Sequence, residues 1–284
     1  MTDSWRRYLT QQAEIGGSEV ILPEAAGRAG GQAGSEEERA SEEMGKSAEP
    51  PKRRKDGGVA SPPARPPARL PAWRKSAPPI PGPGVCIDPP IPDLTGDPLA
   101  ELDSLDAVAE RIRTTYCCQT LCPHRRHAVP GEGNPKARLM LIGEGPGATE
   151  DATGRPFVGQ AGQLLNSILE AIELKREDVY ITNIVKCRPP QNRKPLPDEV
   201  AACIPYLHRQ IALIRPKVIV ALGGTAGEAL LGVRRSLGDL RGKVHSYGGI
   251  PLLATYHPAA LLRNPNWKKP AWDDIRIARQ LLDR

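Results

Sequence analysis

From residue 104 to residue 283 the chain alternates short apolar runs with stretches of helical period, and this alternation restricts the fold more than any other feature. Four runs read as buried strands: 138–143 (RLMLIG), 179–183 (VYITN), 217–223 (KVIVALG) and 251–256 (PLLATY). Helices are predicted over 104–114, capped by Ser104 and carrying Leu105, Val108, Ala109 and Ile112 on one face, and over 160–173, 197–214, 225–231 and 270–283. Strands that alternate with helices form a parallel sheet covered on both faces. The predicted class is therefore α/β, a three-layer αβα sandwich around a central four-stranded parallel sheet. Ligands of such sheets bind beyond the carboxyl ends of the strands. The unusual residues sit there: Gly143-Glu144-Gly145-Pro146-Gly147 after the first strand, Asn183 closing the second, and His257-Pro258 after the fourth.

Composition separates this part from what precedes it. Of 31 prolines, 16 fall in residues 1–100, among Gly, Ala, Ser, Glu and Arg and without long apolar runs. Such a stretch cannot bury enough apolar surface to offset its chain entropy, so 1–100 is predicted to be disordered and 101–284 to form the domain. Within 1–100, a weak helical pattern at 4–22 is broken at Gly16-Gly17, and an acidic cluster (Glu36–Glu38, Glu42, Glu43) precedes a basic one (Lys52-Arg53-Arg54-Lys55). These read as solvated tail, with room for a partner that the sequence does not identify. Residues 1–100 carry 13 Lys and Arg against 14 Asp and Glu, whereas 101–284 carry 26 against 19, so the net +6 belongs to the domain. A basic domain favours a polyanionic partner. No run of about 18 apolar residues is present, and residues 1–22 lack a signal peptide's apolar core, which predicts a cytoplasmic protein without a membrane span.

Three blocks carry a family resemblance: GEGPGATEDATGRPFVGQAGQLL (143–165), VYITNIVKCRPPQNRKPLPDE (179–199) and HPAALLRNPNWKK (257–269). In order and spacing they resemble the signature regions of the family 4, iron–sulfur, uracil-DNA glycosylases. The resemblance runs from about Tyr116 to the C-terminus. It implies the uracil-DNA glycosylase fold, a monomer, and uracil-containing DNA, double- or single-stranded, as partner. The implied reaction is hydrolysis of the N-glycosidic bond in base excision repair, giving free uracil and an abasic site without strand cleavage. A non-catalytic iron–sulfur or polymerase-associated module of the same fold is the alternative.

Each implied role makes chemical sense for its residue. Phe157, the sole phenylalanine, would stack on the flipped base. Asn183 would read uracil, since a carboxamide offers the donor and acceptor that O4 and N3–H require, while cytosine presents the opposite pattern. Gly145, with the Glu144 amide, would approach O2, and His257 would stabilise the charge that develops there. Glu144 is expected to position the attacking water and Glu150 to line the pocket, because the aspartate of related branches is replaced here by Gly145. Leu261, Leu262 and Arg263 would wedge into the minor groove. Lys186, Arg188, Arg193, Lys194, Lys268 and Lys269 are expected phosphate contacts.

Six cysteines in a chain without a secretory signal point to metal rather than disulfides. Cys187 and Cys203, with 15 residues between them, match the family's second ligand pair for a 4Fe–4S cluster. The first pair departs from the usual C-x-x-C: the segment reads Tyr116-Cys-Cys-Gln-Thr-Leu-Cys122. Cys118 and Cys122 are the preferred pair, with Cys117 able to replace either. Zinc on the same cysteines is the alternative metal.

Overall fold

The computed structural model describes residues 71–87, 98–115 and 118–284. The N-terminal helical pattern, the acidic and basic clusters and Cys117 lie outside the described residues.

The four expected strands are present: β3 (Leu139–Gly143), β4 (Tyr180–Asn183), β5 (Val218–Leu222) and β7 (Ile250–Thr255). They are mutually parallel and contiguous in the order β7-β5-β3-β4. Strands β3, β4 and β5 are buried at every position, as a sheet covered on both faces requires. The complete sheet is wider than expected among the described residues, with three further strands, β1 (Pro83–Ile87), β2 (Glu132–Gly133) and β6 (Val244–Tyr247), giving the order β1-β6-β7-β5-β3-β4-β2. The two-residue β2 (Glu132–Gly133) pairs antiparallel with β4. The strand β6 (Val244–Tyr247) joins β7 in an antiparallel hairpin. Its turn is Gly248-Gly249, with φ of 55° and 79°, the left-handed pair that a tight hairpin turn requires.

The expected boundary at residue 101 moves N-terminally. Pro83–Ile87 forms β1, parallel to β6 at the sheet edge, where a strand that begins with proline loses no ladder bond of its own. The preceding segment is tied to the C-terminal helix α8 (Lys268–Leu282): Arg276 donates to the Ser76 carbonyl (2.8 Å), Gln280 to that of Pro78 (2.9 Å), and Arg279 lies over the buried Trp73 ring.

Helix positions follow the sequence closely. Helix α1 (Leu105–Thr114) is capped by the Ser104 hydroxyl, which accepts from the Ala107 amide. The others are α2 (Ala148–Thr153), α3 (Gln160–Ala171), α4 (Pro197–Ile214), α5 (Gly224–Leu231), α6 (Leu237–Leu240) and α7 (Pro258–Arg263). From β3 the chain passes to β4 on one side and then to β5 on the other, so strand order reverses beside β3. The crevice beyond its carboxyl end is where an open α/β sheet binds ligands.

No described helix is long and apolar enough to cross a membrane.

Candidate active site

Parallel register places Gly143 directly opposite Asn183 at the ends of β3 and β4. The ladder continues past them, with Ile184 donating to the Gly143 carbonyl and Val185 to that of Glu144. Beyond these ends lies a cavity of about 240 Å³ lined by Glu144, Gly145, Glu150, Phe157, Asn183, Pro189, Asn192, Arg193, His257 and Arg263, among others. Eight residues singled out by sequence thus meet in one cavity although they span 120 positions of the chain, from Glu144 to Arg263.

Asn183 is 1% exposed, and its Oδ1 is a buried acceptor without a partner. Four buried side-chain atoms among the described residues lack a partner, and this is the one whose residue lines the cavity. An orphaned buried carboxamide oxygen costs about 1–3 kcal/mol, a cost that a ligand donor would remove.

Phe157 occupies the adjoining wall with φ 50°, unusual for an aromatic residue. Its backbone is fixed from several sides. Arg176 donates to the Phe157 carbonyl (3.1 Å) and also to that of Pro156, while pairing with Glu132. Glu150 accepts from Val158 and Gly159 (both 2.9 Å) through one oxygen and from Gly147 (3.1 Å) through the other. Glu150 therefore lines the cavity with its acceptor capacity largely committed to the backbone, as a clamp between the Gly147 turn and the Phe157 loop. Arg176 was not singled out in the sequence, where it reads as one more charge between a helix and a strand.

Glu144 differs from Glu150, for its carboxylate has no hydrogen-bond or ion-pair partner among the described residues and lines the cavity. Gly145 is fixed by space: a Cβ there would lie 2.7 Å from Val185 Cγ2, so any larger residue requires the Val185 side chain to shift. Gly143 is equally constrained, since a Cβ would lie 2.4 Å from Asn183 Oδ1 and 2.6 Å from Phe157 Cζ. Gly143→Ala is expected to fold normally yet lower kcat/KM on the substrate about 100-fold, because displacements near 1 Å at a reacting site cost about that much. Steady-state kinetics alongside a thermal melt checks this, and near-normal kinetics would remove the close-approach argument.

His257 caps α7, its Nδ1 accepting from the Ala259 amide at 3.1 Å. That bond puts the ring proton on Nε2. Burial, with the Arg263 cation nearby and against a smaller opposing effect of Glu150, pushes the imidazole down to about 4, so it is neutral at physiological pH. Its ring centroid is 5.4 Å from that of Phe157.

Three expectations about DNA contacts are corrected. Lys186 is fully buried, its ammonium donating to Thr182 Oγ1, the Asn183 carbonyl and Gln210 Oε1, each at 2.8 Å. It braces the strand end that carries Asn183 and cannot reach a phosphate. Leu261 is 1% exposed, because a one-and-a-half-turn helix turns it inward. Lys268 is 3% exposed at the start of α8. Leu262 is partly exposed and Arg263 exposed. Arg188 is partly exposed and donates to Asn192 Oδ1 (2.9 Å), Lys194 pairs with Glu228 (2.8 Å), and Lys269 is exposed near Asp273 (3.6 Å). Arg193 forms a two-point pair with Glu199 (2.8 and 2.6 Å), and that guanidinium holds the buried carboxyl down at about 2 despite its desolvation.

Cys118, Cys122, Cys187 and Cys203 are buried members of one apolar cluster. Cys122 and Cys187 have sulfurs 3.6 Å apart, and Arg125 donates to both (3.5 and 3.3 Å). Burial pushes the Cys187 thiol up to about 12 despite that guanidinium. Among the described residues, no three Cys, His, Asp or Glu side chains form a group able to hold a metal ion. The donors are of the type and burial that suit a thiolate-bound group with Arg125 compensating its charge, and only two of the four sulfurs are adjacent. Cys86 is exposed and stands apart on β1.

Residues 130–276 match the model of the uracil DNA glycosylase superfamily. The chain is 47% identical over 190 residues to the type-4 uracil-DNA glycosylase of Saccharolobus solfataricus, covering 64% of this chain and 88% of that protein. It is 51% identical over 155 residues to the type-4 enzyme of Pyrobaculum aerophilum (51% and 79% of the two chains) and 44% identical over 184 residues to that of Thermotoga maritima (63% and 95%). With the three sequence blocks folded into one cavity and these relatives matched over most of their length, the chain belongs to the uracil-DNA glycosylase superfamily and to its type-4 family.

Proposed function

We propose that this chain turns uracil out of DNA and hydrolyses its N-glycosidic bond, releasing free uracil and leaving an abasic site. The unpartnered Asn183 oxygen beneath Phe157 carries the reading: it is a buried acceptor waiting for a donor, and uracil N3–H is one. The Asn183 amide N–H₂ then donates to O4, and the ring of Phe157 stacks on the base. Water attacks C1′ as the C1′–N1 bond breaks, and the bonding pair leaves with uracil. Charge builds on O2, where the neutral His257 Nε2–H and the amides near Gly145 donate to it. The unengaged Glu144 carboxylate orients the water, whose proton ends on the departing uracil anion. Arg263 at the cavity, with the surface cations Arg188, Lys194 and Lys269, supplies phosphate contacts, and Leu262 replaces Leu261 as the apolar side chain available to the duplex.

The proposal includes a 4Fe–4S cluster on Cys118, Cys122, Cys187 and Cys203, with Cys117 as the substitute. The buried thiol set and the Arg125 cation support it. When bound, the cluster supplies a tether between the Cys118–Cys122 turn, the segment after β4 and α4, since hydrolysis transfers no electrons. Serine at Cys122 or Cys187 is expected to abolish iron content and visible absorption in purified protein, while serine at Cys86 leaves both intact. Stoichiometric zinc in colourless, active wild-type protein would replace the cluster by a zinc site.

The function itself is tested by incubating purified protein with a uracil-containing oligonucleotide and treating with alkali. Cleavage at the uracil, and none without alkali, is expected. An intact strand after alkali would leave a non-catalytic DNA-binding module as the reading.

A further inference from the structure

One wall of the cavity is the loop 188–196, which contributes Pro189, Asn192 and Arg193. Its backbone is costly to hold: Gln191 and Asn192 lie consecutively at φ 54° and 56°. Arg193 and the Leu196 amide converge on one carboxylate from the first turn of α4, that of Glu199, which is 1% exposed. Glu199 Oε1 accepts from Arg193 Nη2 (2.6 Å), and Oε2 accepts from Arg193 Nη1 (2.8 Å) and from the Leu196 N–H (2.8 Å). Oε1 also accepts from Thr120 Oγ1 (3.1 Å), and that hydroxyl lies 3.2 Å from Cys118 Sγ. A buried carboxylate is tolerated only while its partners stay in place, so loop, carboxylate and turn must keep one arrangement together.

We infer that Glu199 is a positioning residue for the substrate: it fixes the 188–196 wall of the cavity and, through Thr120, makes the order of that wall depend on the order of the Cys118–Cys122 turn. The assignment of a substrate rests on the function proposed above, whereas the mechanical link does not. Charge-assisted buried bonds are among the stronger ones, so breaking one link should change local opening by roughly tenfold or more. Because the wall contacts substrate in ground and transition states alike, the kinetic effect should appear in KM rather than kcat.

The test uses the full chain and three variants. Glu199→Gln preserves shape but removes the charge that pairs Arg193. Thr120→Val cuts the connection to the turn while leaving every cysteine in place, and Thr120→Ser restores the hydroxyl and its contact to Cys118 Sγ. Amide hydrogen exchange of residues 188–196 is expected to accelerate about tenfold in both Glu199→Gln and Thr120→Val and to return to normal in Thr120→Ser, with β3 to β5 unaffected. On a uracil oligonucleotide, KM should rise about tenfold with kcat within about twofold. Unchanged exchange at 188–196 in Thr120→Val would overturn the link, and uniform loss of protection across the sheet in Glu199→Gln would reduce Glu199 to a general stabilising residue. If wild-type protein releases no uracil, the exchange arms still decide the link, so failure of the function and failure of this inference are distinguishable.

Discussion

Asn183→Ala is expected to lower kcat/KM on uracil-containing DNA by about 10³-fold or more, the largest effect of any single substitution in the cavity. The side chain is buried and its Oδ1 lacks a partner, so the folded enzyme carries an unsatisfied acceptor that a ligand donor relieves. Removing the carboxamide leaves uracil N3–H and O4 without their partner at a buried position, where each lost bond is expensive. The enzyme's stability should hold or improve slightly, because the substitution also removes the orphaned oxygen. Asn183→Asp is more diagnostic. An ionised carboxylate accepts from N3–H but repels O4, so uracil release falls; the protonated carboxyl accepts from cytosine's exocyclic amine and donates to its N3, so cytosine becomes a substrate. Single-turnover assays on oligonucleotides carrying uracil or cytosine at one position measure both. Excision of uracil within tenfold of wild type by Asn183→Ala would sink the base-reader assignment.

His257→Ala should reduce kcat by roughly 10²–10³-fold with KM little changed, as expected for a donor aimed at charge that exists only in the transition state. The pH dependence follows from the ring's environment. Burial holds the imidazole down at about 4 from an ordinary value of 6.5, so the Nε2–H donor is neutral throughout the neutral range. The contribution of His257 to kcat should be flat from pH 8 to about 5.5 and fall only as pH nears 4. There a proton on Nδ1 displaces the bond from Ala259. The stability sign agrees: the unfolded chain takes up this proton first, so the contribution of His257 is complete above 6.5 and declines as pH falls toward 4. A loss of kcat centred near pH 6.5 that disappears in His257→Ala would overturn the neutral-donor assignment.

Three residues of the cavity were legible in the sequence for different reasons than their neighbours. Phe157, Asn183 and His257 stand at the ends of strands or in glycine-rich segments where periodicity stops, so their types are not explained by packing. Lys186 looked equivalent to Arg188, two positions on, within the same basic stretch. Nothing local distinguishes a lysine that donates to Thr182, Asn183 and Gln210 inside the sheet from one that faces solvent. The same holds for Leu261 and Leu262, since an error of one position in a short helix exchanges buried and exposed. Strand β1 was hidden among Pro78, Pro79, Pro81 and Pro83, because an edge strand needs only one ladder and tolerates a composition that a central strand does not.

Sequence alone determined the alternation that makes the central four-stranded parallel sheet, the strand ends at which chemistry is placed, and the types of residue held there. These are properties of local period and side-chain chemistry, which survive without knowledge of partners. Tertiary structure decided which charges remain free. Glu144 and Glu150 are only six positions apart, yet one carboxylate is unengaged and the other is consumed by three backbone amides. It also placed Arg176 behind Phe157 and Glu199 between the cysteine turn and the cavity wall. Those assignments depend on contacts between residues up to 79 positions apart, as for Thr120 and Glu199, and a contact is a property of the folded chain, not of either residue in it.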